Sequence, residues 1–123
     1  MGFKLSTEVR DGYIHGVTTG EIRTADHVLE KVESLRRVCE REGIFRFLME
    51  ERRLRLLVDA HESAIAANLL EREGIQTFGG RMATLYNPDY LDAFRLQETM
   101  YMNRSLSYRL FRDEAEALVW LMR

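Results

Sequence analysis

The chain has 123 residues, 46% of them hydrophobic and 31% charged, with 18 Lys and Arg set against 20 Asp and Glu. That is one domain's length, enough to bury roughly two thirds of the unfolded surface around a single core, so residues 1–123 are expected to form one domain. A formal charge of −2 removes the electrostatic reason to expect nucleic acid, whose phosphates demand an excess of Lys and Arg. No window approaches the ~20 apolar residues of an integral membrane segment. The single cysteine cannot close an internal disulfide, which points to a reducing, cytoplasmic setting.

The first element pair is an antiparallel hairpin. Phe3, Leu5, Thr7 and Val9 alternate with polar residues, and Tyr13, His15, Val17 and Thr19 resume after Asp11-Gly12. Both residues of an Asp-Gly loop accept positive φ, as a two-residue turn requires. Thr24 then caps a helix with Val28, Leu29, Val32, Leu35, Val38 and Cys39 on one face, Asp26 near its positive end and Gly43 as its left-handed stop.

Ile44–Glu50 and Leu54–Val58 both have the composition of buried strands. They fit a hairpin equally with a single strand followed by a lead into the next helix. A short loop after a helix is the usual return path of a right-handed crossover, which favours the first segment as the central parallel strand. Asp59 and Glu62 form a capping pair for a helix carrying Ala60, Ile65, Ala66, Leu69 and Leu70, closed by Gly74. Gly79-Gly80 precede a strand over 81–86. Asn87-Pro88 then open a helix bearing Tyr90, Ala93, Phe94, Gln97, Met100 and Tyr101.

A last short strand runs to Phe111, and Asp113 with Glu116 caps a terminal helix that is nearly all apolar from Ala115 to Met122. Such a helix is expected to be docked rather than solvated. The whole is an α/β fold: a mixed, mostly parallel sheet of about five strands with about four helices, opened by the antiparallel hairpin.

Four stretches carry a resemblance: Tyr13-Ile-His-Gly-Val-Thr18, Phe47-Leu-Met-Glu-Glu-Arg52, the 81–86 strand, and Phe111 through Leu121. Together with the element order they resemble the SpoIIAA-like (STAS-type) fold of the STAS/SEC14 superfamily, in its small stand-alone bacterial members. The resemblance spans nearly the whole chain and implies a layered sheet but no reaction. In the anti-sigma-antagonist branch a phosphorylatable Ser follows the central strand. The matching stretch here, Met49-Glu-Glu-Arg-Arg53, contains no hydroxyl, so the charge that phosphorylation adds cannot be placed there. Sec14-type relatives bind lipids in an apolar cavity.

Candidate chemistry is sparse. His15, His27 and His61 lie on three elements with no i, i+4 pair, and Cys39 stands without a second cysteine, so neither a metal nor another cofactor is expected. Asp59, His61 and Ser63 have the residue types of a triad, but positions two apart on a helix point away from each other. Cys39 shares the apolar face of its helix and is expected to be buried. Gly79-Gly80-Arg81 is more often a turn than an anion nest.

The cluster that remains is Arg52, Arg53 and Arg55, interleaved with Leu54, Leu56 and Leu57 and preceded by Glu50 and Glu51. In a loop it makes a docking surface; in a strand the leucines are core and the arginines a solvated face. Phe94, Met100 and Tyr101 are the residues that would line an apolar pocket. The expected function is a non-enzymatic STAS-like protein-interaction module, with binding of a lipid or other apolar small molecule as the alternative. Its protein partner is unspecified, and a homodimer is admitted.

Overall fold

The computed structural model describes residues 2–73, 80–103 and 107–123; Gly74 and Gly79, expected as helix stop and turn, lie outside them. Strand β1 (Phe3–Arg10) and strand β2 (Tyr13–Ile22) pair antiparallel from Phe3↔Gly20 to Arg10↔Tyr13, as the Asp-Gly turn requires. Gly12 sits at φ 82° in that turn, a conformation that costs a residue with a side chain.

Helix α1 (Ala25–Glu42) begins where the Thr24 side chain accepts the His27 N–H, and it ends at Gly43 with φ 69°. Strand β3 (Arg46–Glu51) follows, then β4 (Leu54–Leu56) and helix α2 (Ala60–Arg72), whose first turn is capped by Asp59 through the Glu62 N–H at 2.8 Å. Strand β5 (Arg81–Tyr86) leads through one 3₁₀ turn over Pro88–Tyr90 into helix α3 (Leu91–Met102). Strand β6 (Ser107–Phe111) and helix α4 (Glu114–Leu121) complete the chain.

The sheet runs β1-β2-β3-β5-β6, parallel after the opening pair, so β3 is the central strand as expected. The second apolar segment departs from both expected arrangements. It neither turns back on β3 nor leaves the sheet; β4 continues alongside β2 in the same direction, as a sixth strand.

The registers explain how. Val17 lies opposite Glu50, yet Gly20 lies opposite Leu54. Three steps along β2 therefore match four along the other chain segment, and one residue is inserted at Arg52-Arg53, a bulge in the strand line. Because side chains alternate, one extra residue reverses which face they occupy. Phe47, Met49 and Glu51 face inward on odd numbers before the bulge; Leu54, Leu56 and Val58 are buried on even numbers after it. Without the insertion Arg53 and Arg55 would enter the core, and charges there are costly unless paired.

Helices α1, α2 and α3 cover one face, where Ile22, Leu54, Leu56, Val28, Leu70 and Phe94 pack together and Ile14, Phe47 and Met49 meet Leu35 and Val38. Helix α4 covers part of the other, through Ala117 and Leu121 against Leu48, Ala83 and Leu85. Docking is narrower than the apolar run suggested: Val119 is 65% exposed, because eight residues of helix offer the sheet only one i, i+4 stripe. Asp113 caps α4 through the Ala115 N–H at 3.4 Å, one position short of the Glu116 amide of a capping box.

Candidate interaction site

The bulge and β4 lie at the end of the sheet where β3 and β5 finish. Arg52, Arg53 and Arg55 are exposed while Leu54 and Leu56 are buried; Arg52 and Arg53 form the turn before β4, and Arg55 lies on the solvated side of that strand. Two of the guanidinium groups are already engaged. Arg52 forks onto the Glu50 carboxylate, with Nε at 2.9 Å from Oε2, and its backbone N–H reaches the same oxygen at 3.0 Å. Burial pushes the Glu50 carboxyl up, but the Arg52 bonds outweigh it and hold the group below its ordinary range.

Arg55 pairs with Glu21 on the neighbouring strand and lies 3.4 Å from the Tyr90 hydroxyl. Arg53 is exposed and has no ion-pair partner among the described residues. Asn87 ties the 3₁₀ turn to this end by donating its amide N–H to the Leu54 carbonyl at 3.1 Å. The surface therefore presents one uncommitted cation, two cations held in fixed orientation, and the edge of Tyr90.

Glu51 does not belong to that surface, contrary to the sequence expectation. It shares the parity of Phe47 and Met49, and at 0% exposure it lies beneath α1. There it forms an ion pair with Lys31 and accepts the Thr18 hydroxyl at 2.8 Å, both on Oε2; Oε1 has no hydrogen-bond partner among the described residues. Lys31 stands on the buried stripe of α1 between Val28 and Leu35. Two tyrosines complete the surroundings, Tyr101 and Tyr108, with rings edge-on at 4.9 Å. Burial first, and then the Glu51 charge, pushes both phenols up from their ordinary range. The signal was available in the sequence: an acid at core parity on a strand, and a lysine at core phase on a helix.

The residues expected to line an apolar pocket all lie on α3. Phe94 is fully buried and its ring packs 6.2 Å from that of Tyr86. Met100 and Tyr101 do border a cavity, with Val28, Ser63, Ala66 and Gln97, but its volume is about 10 Å³. That is room for about one water, whereas small-molecule pockets span roughly 300–1,000 Å³.

The other candidates resolve as architecture. Asp59 caps α2, His61 is exposed, and the buried Ser63 hydroxyl has no partner among the described residues, so the three do not converge. Glu62 accepts the Ala25 N–H at 2.8 Å and joins the starts of α1 and α2. His27 lies edge-on to Phe3 at 6.1 Å. His15 occupies the open sheet face, where burial and then the Arg10 charge push its imidazole below the ordinary range. Cys39 is buried, and burial together with Glu40 pushes its thiol up to about 11, the opposite of activation. Among the described residues no group of three or more His, Cys, Asp or Glu is placed to hold a metal ion, and no helix is long and apolar enough to cross a membrane.

No family model matches the chain, and no curated protein matches it in sequence. Solved structures do match in shape. One is an uncharacterised protein of the DUF3478 family with a SpoIIAA-like fold, from Shewanella loihica PV-4. Its TM-score is 0.61 at 17% identity, over 98% of this chain and 94% of that one. An anti-sigma factor antagonist from Mycobacterium paratuberculosis gives 0.60 at 11% identity, over 99% and 96%. The anti-sigma factor antagonist SpoIIAA, in its unphosphorylated form, gives 0.53 at 15% identity, over 98% of each chain. The mixed sheet, its antiparallel opening pair and the four α-helices among the described residues are thus those of a SpoIIAA-like, STAS-type fold.

Proposed function

We propose that this chain is a non-enzymatic, cytoplasmic regulatory module that binds an acidic protein surface through the exposed arginine end of its sheet, and that it does so without a phosphorylation switch. The carrying observation is the composition of residues 49–62, which run from the central strand through the bulge to the first turn of α2 and contain no Ser, Thr or Tyr. The matching stretch 49–53 offers no hydroxyl to carry the about −1.5 to −2 charges of a phosphate, and the carboxylates beyond it at Asp59 and Glu62 are occupied in holding helix starts. The first hydroxyl beyond them, Ser63, is buried. The likeness to anti-sigma factor antagonists supports a regulatory reading by fold alone. Arginine suits the contact because its planar fork can pair with a carboxylate on the partner.

The test compares immobilised wild type with an Arg52→Glu/Arg53→Glu variant in pull-downs from native lysate at several salt concentrations. Both residues are exposed, so the variant's stability should stay within about 1 kcal/mol of wild type. Proteins retained by the wild type at low salt and lost by the variant support the reading. Identical captures by the two chains, or none above background, contradict it.

A further inference from the structure

Among the described residues the outer edge of β1 pairs with no other strand: β2 is its principal neighbour, and β1 ends the sheet. The direction of its free backbone groups follows from the pairing. The Gly2 carbonyl accepts the Glu21 N–H at 3.1 Å, and in an antiparallel ladder bonded pairs alternate with unbonded ones. The register then turns the backbone groups of Lys4, Ser6, Glu8 and Arg10 toward β2. Those of Phe3, Leu5, Thr7 and Val9 face outward along an eight-residue strand. Such an edge is a template for another strand, and natural proteins usually blunt it with proline, bulges or like charges. β1 has no proline and pairs without a bulge.

We infer that β1 is a self-association edge, which pairs antiparallel with β1 of a second copy of this chain. Only a register that sets outward-facing residues opposite one another can form the bonds. With the two-fold axis at Ser6, Phe3 meets the second copy's Val9 and Leu5 meets its Thr7, and all four outward-facing residues are used. On the open face Lys4 then stands opposite Glu8 of the other copy, twice by symmetry, in the unbonded pairs where side chains approach most closely. Moving the axis to Thr7 sets Lys4 against Arg10, and moving it to Leu5 leaves Glu8 against Gly2, so charge selects one register. Lysine on an edge normally discourages self-pairing; here its opposite number is an acid. Val9, which is 47% exposed, gains the Phe3 ring as cover. The surface is separate from the arginine end of the sheet and does not depend on it.

Sedimentation equilibrium on the full chain tests this with Lys4→Glu and Glu8→Lys, each checked by circular dichroism for an unchanged fold. The wild type should weigh twice the monomer. Each single variant places like charges opposite one another twice and should weaken the dimer about tenfold or more. An equimolar mixture of the two variants should recover it, because in the mixed pair every Glu faces a Lys. A wild type that stays monomeric, a dimer indifferent to both substitutions, or a mixture no tighter than its components would overturn the inference.

Discussion

Replacing Lys31 with Met should destabilise the fold by about 3–5 kcal/mol, because it strands the Glu51 carboxylate in the core without its cation. The Thr18 hydroxyl would remain as a donor on Oε2, which does not neutralise a charge at 0% exposure. The double variant Lys31→Met/Glu51→Leu removes both charges and should return to within about 2 kcal/mol of wild type, since well-packed apolar replacements of buried pairs are often neutral or better. Urea denaturation with a shared slope measures both, and the Glu51→Leu single variant closes the cycle that isolates the coupling. A loss below about 1 kcal/mol in the single variant would mean that Glu51 reaches solvent.

Leu121→Ala should cost about 3 kcal/mol, the second large effect. Its side chain is fully buried against Leu48, Ala83 and Leu85, and truncation leaves a cavity under a helix that has few other anchors. Trp120 is only partly buried, with its ring 5.7 Å from Phe111 and 5.3 Å from the Arg81 guanidinium carbon. Its truncation should cost less, about 2 kcal/mol. Arg81 also donates to the Trp120 carbonyl at 2.7 Å, a backbone bond that the substitution leaves in place. Val119→Ser, on the exposed side, should change stability by less than about 0.5 kcal/mol. Equal losses at Leu121 and Val119 would contradict the docking stripe.

The local signals in the sequence were turns, caps and apolar phase, and these located the elements well. The Asp-Gly turn, the Thr24 and Asp59 caps and the Gly43 stop all act as their chemistry requires. What escaped was a long-range register. A one-residue insertion is visible only when β2 is laid beside 46–56, although its trace, the switch of buried positions from odd to even between Glu51 and Leu54, stood in the sequence. Glu51 precedes the switch and shares the parity of Phe47 and Met49, which already assigned it to the core. Composition is silent on α3 for another reason: only packing decides whether space remains between residues such as Phe94 and Tyr101. For the arginines the strand and loop readings each hold in part: Arg55 stands on β4 between buried Leu54 and Leu56, whereas Arg52 and Arg53 form the turn before it.

The burial of Leu54 and Leu56 and the exposure of Arg53 and Arg55 rest on that insertion. Inter-residue nuclear Overhauser contacts in isotope-labelled protein test it most directly. Glu50 should show parallel cross-strand contacts to Val17, and Leu54 should show them to Gly20, with Thr19 alone facing Arg52 and Arg53. Contacts of a tight antiparallel hairpin between 46–51 and 54–56, or an unbroken register that sets Arg53 opposite Gly20, would contradict it.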